Sequence, residues 1–281
     1  MSRTYSLAYL TVPGVTPEQQ VRIAHAAGYD AVGLRLIAMG VAGEPDCDPL
    51  APEVLAATRR AMQETGIACH DIELARILSD ETPKGYERAI AAGAELGARQ
   101  LISSAWTRGI DDDAYVTDFF GDLCDLAGGY GMTVSLEFPS FSRLINLAEA
   151  LTIIRAAGRA NAAVLIDTLY YHLSHATAAD LDGVPPQWVP MLHVCDAPAR
   201  GTGTRAQMRA IAREGRLYPG EGVVDFAPFR ARFPDAALSI ELPNAARIAE
   251  LGREGHARRC LEAARSVFEP DAAPVRTGTR G

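Results

Sequence analysis

GYDAVGLR (28–35), GIACHDIEL (66–74), GARQLISS (97–104) and GMTVSLEF (131–138) share one local pattern: a glycine, one or two small or aromatic residues, then an apolar run. Glycine accepts the left-handed conformation that ends a helix, and a short apolar run after it reads as a buried strand. Extending this reading in both directions predicts eight strands: Ser6–Leu10, Ala31–Arg35, Ala68–Glu73, Arg99–Ser103, Thr133–Glu137, Ala163–Asp167, Leu192–Cys195 and Leu238–Glu241. The segments between them are rich in Ala, Leu, Glu and Arg and predict helices. The first is announced by Thr16-Pro17-Glu18, a threonine cap followed by a proline at the first helical position. No GxGxxG follows the first strand, and the late GTG at 201–203 reads as a flexible spacer, so an open dinucleotide-binding sheet is disfavoured. The expected fold class is α/β, a single (β/α)8 TIM barrel over residues 1–269, with a loose tail, PDAAPVRTGTRG, at 270–281.

Composition narrows the function. With 281 residues, 48% hydrophobic and 22% charged, the chain is long enough to bury a core without disulfides. The cysteines Cys47, Cys69, Cys124, Cys195 and Cys260 are odd in number and widely spaced, which argues against a disulfide framework or a thiolate zinc site. A formal net charge of −8 disfavours nucleic acid as a partner. No apolar run is long enough to span a bilayer, and the expected location is the cytoplasm. Lys84 is the only lysine among 27 basic residues, and it sits in DETPKGYE, which reads as an exposed first helical turn. Imine chemistry is thereby disfavoured, and arginine is left to hold any anionic or polar substrate.

In a parallel barrel the chemistry gathers where the strands end. Glu137 ends VSLEF, Asp167 ends AVLID, His193 lies in MLHVCD and Glu241 ends LSIEL, so each polar residue interrupts an apolar run at its carboxyl end. Three carboxylates and an imidazole on one rim repel unless protons or a cation compensate them. One divalent metal ion is the expected cofactor, Mn²⁺ or Mg²⁺ first, with Co²⁺, Fe²⁺ or Zn²⁺ also compatible with the donor set. Asp196 or His172 is the alternative to His193 as a ligand. Such a centre stabilises an enolate, with Glu137 or Glu241 as the base. Isomerisation, epimerisation and β-elimination of water share that first step. Candidates for substrate contact are Arg35, His70, Glu73, Trp106, His172 and Arg216; Asp196 is expected to hold either His193 or a nearby loop.

The strand-end Glu, Asp, His and Glu, together with HVCD (193–196) and RLYPGEG (216–222), resemble the xylose isomerase-like barrel superfamily of sugar phosphate isomerases, ketose 3-epimerases and endonuclease IV. The resemblance covers roughly residues 5–265. It implies that Glu137, Asp167, His193 and Glu241 bind the metal, that the two glutamates also move protons, and that Arg216 contacts substrate. It further implies a small polyhydroxy or keto-acid substrate and a homodimer or homotetramer. The chain departs from the ketose 3-epimerase pattern at Tyr170, where those proteins carry a histidine, and at Arg143, where they carry a glutamate. The expected activity is therefore a metal-dependent isomerase or epimerase of a small sugar, sugar phosphate or hydroxy-keto acid. The alternative is a dehydratase of a dehydroshikimate-like or inosose-like compound.

Overall fold

The computed structural model describes residues 3–41, 43–107, 113–199 and 203–270; most of the expected spacer at 201–203 and tail at 270–281 lies outside these residues. Eight parallel strands follow one another around a closed barrel in chain order, with β8 pairing back onto β1. The elements run β1 (Tyr5–Ala8), α1 (Pro17–Ala27), β2 (Ala31–Arg35), α2 (Pro52–Thr65), β3 (Ala68–Ile77), α3 (Glu87–Glu95), β4 (Gln100–Ala105), α4 (Asp113–Gly128) and β5 (Thr133–Glu137). They continue with α5 (Leu147–Ala157), β6 (Ala162–Asp167), α6 (Thr168–Leu173), β7 (Met191–Val194), α7 (Arg205–Glu214), α8 (Ala227–Arg232), β8 (Ala237–Ile240) and α9 (Ala245–Phe268).

The glycine punctuation works as its chemistry requires. Thr16 Oγ1 accepts from Gln19 N while the Gln19 side chain returns a bond to Thr16 N, and α1 ends at Gly28 with φ 91°. The extent of β3 is the main difference from expectation. It continues past Glu73 to Ile77, and its register shifts against both β2 and β4 mark irregularities that a period-2 reading does not register. Other strand ends move by one or two residues; Cys195 and Glu241 stand just beyond β7 and β8. Lys84 lies in an exposed 3₁₀ turn, Pro83–Tyr86, that leads into α3.

Two apolar layers result. The larger lies between the strands and the helices, and the smaller, Ile102, Leu165, Met191 and Ala237, fills the barrel interior. Side chains alternate along a strand, so Leu165 and Asp167 share the inner face, as do Met191 and His193, and Ala237 and Glu241. The interior plug therefore forms the floor beneath the polar residues at the carboxyl ends. Among the described residues no helix is long and apolar enough to cross a membrane.

Candidate metal centre

Four side chains converge above that floor. One ligand atom from each of Glu137, Asp167, His193 and Glu241 lies within 4.8 Å of the others, and all four residues are buried. His193 Nδ1 stands 3.3 Å from Glu137 Oε1 and 3.6 Å from Glu241 Oε2. Local bonds fix the chain on either side. Thr168 Oγ1 donates to Cys195 O and accepts from Cys195 N, clamping the segments that follow Asp167 and His193. Thr11 Oγ1 donates to Ile240 O and accepts from Leu242 N, which brackets Glu241 against the chain after β1.

Arg216 closes the inner side of the cluster. It is wholly buried; Nη1 donates to Asp167 Oδ2 at 2.7 Å and to Glu241 O at 3.1 Å, and Nη2 lies 2.7 Å from Glu241 Oε2. Tyr170 Oη, 3.3 Å from Nη2, and Cys195 Sγ, 3.2 Å from Nη1, complete its surroundings. Arg216 therefore serves the carboxylates as their buried counter-charge.

The residues fit a divalent cation. Glu137 Oε1 and both ring nitrogens of His193 are buried without an aligned hydrogen-bond partner among the described residues. Three carboxylates against one guanidinium leave two negative charges in an enclosed space, which a divalent ion would neutralise. The protein's own electrostatics express the same tension. Burial pushes the Glu137 carboxyl up to about 7 against the opposing pull of His193. Burial alone would lower His193, but the carboxylates of Glu241 and Glu137 hold it well above its ordinary value. Burial also raises Glu241, yet His193 and Arg216 overcome it and keep that carboxyl below the usual range.

The other expected site residues divide. Arg35 and Glu73, on neighbouring strands, form an ion pair of 3.1 Å near the mouth, and burial raises the Glu73 carboxyl against the lowering effect of Arg35. Arg35 also lies 3.5 Å from Glu44 and 4.5 Å above the Tyr9 ring. Trp106 follows β4; its Nε1 donates to Ser104 Oγ and its ring lies 5.8 Å from that of Phe141. His70 is not at the mouth. It is the third residue of β3, three residues or about 10 Å of strand before Glu73, with Nδ1 3.1 Å from Asp71 Oδ1. His172, on α6, lines a separate cleft with Ala176, Val223 and Pro228, and does not bond Asp167. Asp196 serves the loop and not His193: its carboxylate accepts from the amides of Ala197, Gly220, Gly222 and Val224. Tyr9, Thr11, Glu44 and Thr168 were not singled out in the sequence, since each sits in a connection without periodic pattern.

A family model described as xylose isomerase-like TIM barrel matches residues 21–265. The chain belongs to this family. Among curated members, the inosose isomerase of Halalkalibacterium halodurans is 24% identical over 127 residues, 43% of this chain and 43% of that protein. The inosose isomerase of Bacillus velezensis is 26% identical over 106 residues, 37% of this chain and 36% of that protein. The alignments thus span less than half the length of these curated relatives. Among solved structures of the fold, a zinc-bound IolI protein superposes with a TM-score of 0.78 at 16% identity, covering 96% of this chain and 99% of that one. A D-allulose 3-epimerase from Methylomonas sp. superposes with a TM-score of 0.69 at 17% identity, covering 95% and 98%.

Proposed function

We propose that this family member is a divalent-metal-dependent isomerase or epimerase of a small polyhydroxy ketone, acting by removal and return of a proton next to the carbonyl. The observation that carries this reading is the convergence of four buried ligand-type atoms within 4.8 Å at the carboxyl end of the barrel. The relatives named inosose isomerase and D-allulose 3-epimerase support it. We assign Glu137, Asp167, His193 and Glu241 as the metal ligands. Bound there, a divalent ion supplies electrostatic stabilisation to the oxygen on which negative charge develops. Zinc, as in the IolI structure, manganese and magnesium all suit the donor set.

The chain's own groups divide the proton work by their partners. Glu137 Oε1 faces His193 Nδ1 at 3.3 Å within the ligand cluster, so its second oxygen, Oε2, is the one we assign to take a proton from substrate carbon. Glu241 Oε2 is held by Arg216 at 2.7 Å, which fixes the carboxylate's orientation. The two glutamates stand at the ends of β5 and β8, non-adjacent strands of the ring, and so approach a substrate at the mouth from different sides. Epimerisation needs that geometry, because the proton leaves one face and returns to the other. We assign Arg35 and Glu73 to orient substrate hydroxyls and Trp106 to wall the pocket, which their ion pair and ring contact at the carboxyl end of the barrel support.

The test is proton exchange. Metal-loaded protein incubated in deuterium oxide with an inosose or with ketohexoses will place deuterium on carbon without change in substrate mass beyond the label. Chelation will abolish it. Loss of water from the substrate would transfer the site to dehydration, and conversion without exchange would remove the enolate route.

A further inference from the structure

We propose that the cleft bounded by Trp106, Phe141, Arg143, Arg205 and Arg209 is an anion subsite, taking the phosphate or carboxylate of a substrate whose carbonyl end sits at the four strand-end ligands. The proposal rests on the isomerase reading and names its substrate class. The cleft has a volume of about 240 Å³ and is lined, among the described residues, by three guanidiniums and two aromatic rings. Arg143 is partly offset by Asp113, 2.5 Å away. Arg205 and Arg209 have no carboxylate partner among the described residues; Arg209 lies 5.6 Å over the Phe141 ring. An exposed arginine alone is ordinarily a solvated charge. Arg205 and Arg209, one turn apart beside Arg143, repel each other, and an anion that accepts from their N–H groups relieves that repulsion.

The location fits the chemistry. Trp106 follows β4, Phe141 and Arg143 follow β5, and Arg205 and Arg209 stand on α7 in the connection after β7, so the cleft opens on the same end of the barrel as the ligands. Phe141 links the two places. Its ring lies 5.8 Å from those of both Trp106 and Tyr170, and the Tyr170 hydroxyl touches Arg216 behind the carboxylates. Arg205 and Arg209 occupy the first and second turns of α7, at the end of the helix whose dipole favours negative charge.

The experiment uses the full chain with Trp188→Phe, which leaves Trp106 as the sole tryptophan reporter. Inorganic phosphate titrated at constant ionic strength will change Trp106 emission saturably. Arg205→Ala/Arg209→Ala in the same background will weaken phosphate at least tenfold; both residues are solvent-facing on α7, so the fold is kept. Acetate in place of phosphate distinguishes a carboxylate from a phosphoryl source by which binds more tightly. A non-saturable response, or a double variant that titrates like its parent, overturns the subsite. Glu137→Gln/Glu241→Gln will keep the phosphate response, so binding is scored independently of the chemistry. In the metal-loaded enzyme, kcat/KM for a phosphorylated or carboxylated ketose will fall at least tenfold in the arginine double variant. Phosphate binding without deuterium exchange on any ketose would sink the isomerase reading and leave the subsite standing; exchange without phosphate binding would do the reverse.

Discussion

Arg216 Nη1 lies 2.7 Å from Asp167 Oδ2, and both side chains are wholly enclosed. Removing one partner of a buried pair leaves the other charge uncompensated and costs about 3–5 kcal/mol. Arg216→Ala will therefore unfold at lower denaturant concentration than the parent when both are metal-free. The variant also loses a guanidinium that contacts Asp167 and Glu241, so added Mn²⁺ or Zn²⁺ will raise its melting temperature by more than it raises that of the parent. Equal metal responses would show that Arg216 does not balance the ligand charge.

Glu137→Gln and Glu241→Gln will each lower turnover at least about a hundredfold, the scale of lost acid–base catalysis. The glutamine keeps the volume and removes the proton-accepting oxygen. Both variants give up a carboxylate beside His193, and Glu241→Gln also weakens the contact with Arg216, so the second will lose more stability than the first. Stopped deuterium exchange and thermal melts measured on the same samples check both halves. Near-normal exchange in either variant removes that glutamate from proton transfer.

The four ligands are legible in the chain because each interrupts an apolar strand at its last inward position, and period-2 alternation then dictates that Asp167, His193 and Glu241 share a face with Leu165, Met191 and Ala237. Depth along a strand is less legible. His70 and Glu73 belong to one run, and only pairing with β2 and β4 shows that the first lies low and the second near the mouth. Arg216 is visible as part of RLYPGEG, but its burial depends on a loop whose path is set by Asp196, a contact between residues 20 or more positions apart. Glu44 and Tyr9 reach Arg35 from connections that carry no periodic signal.

Asp196 gathers the turn that carries Arg216 into place. Its Oδ2 accepts from Gly220 and Gly222, its Oδ1 from Val224 and Ala197, and a β-carbon at Gly222 would collide with Ala197 O and with the carboxylate itself. Asp196→Ala strands these amides, and at about 1.5–3 kcal/mol per charged hydrogen bond the loss of even two costs at least about 3 kcal/mol. A fall in melting temperature of about 6 °C or more is expected for a chain of this size. His193 is not among its partners, so metal measured per folded molecule will change little. A selective loss of metal with stability intact would instead place Asp196 behind His193.

Metal removal supplies its own stability test. A ligand that binds only the native state stabilises it by RT ln(1 + [L]/Kd), about 2.7 kcal/mol at a hundredfold excess over Kd. Dialysis against a chelator will lower the melting temperature, and Mn²⁺, Zn²⁺ or Mg²⁺ will restore it in proportion to the logarithm of concentration. Asp167→Asn and His193→Gln will abolish the restoration. A melting temperature indifferent to all three ions would remove the metal centre.

His256 gives stability a dependence on pH away from the ligands. The ring is fully buried; Nε2 lies 2.9 Å from Leu242 O and Nδ1 3.0 Å from Tyr218 Oη, so the neutral tautomer that donates from Nε2 and accepts at Nδ1 satisfies both neighbours. Burial lowers its proton affinity, the Leu242 carbonyl opposes that, and the Arg247 charge adds to the lowering. The folded value therefore lies below the unfolded one of about 6.5, and the unfolded chain binds the extra proton first. This contribution is fully present above about pH 6.5 and is lost as pH falls below it toward the folded value. His256→Gln removes the titration while keeping polar contacts. Denaturant midpoints of the two proteins will be offset by a constant amount above pH 7 and will converge on acidification from 6.5 to 5, whereas parallel curves would show that His256 charges as readily folded as unfolded.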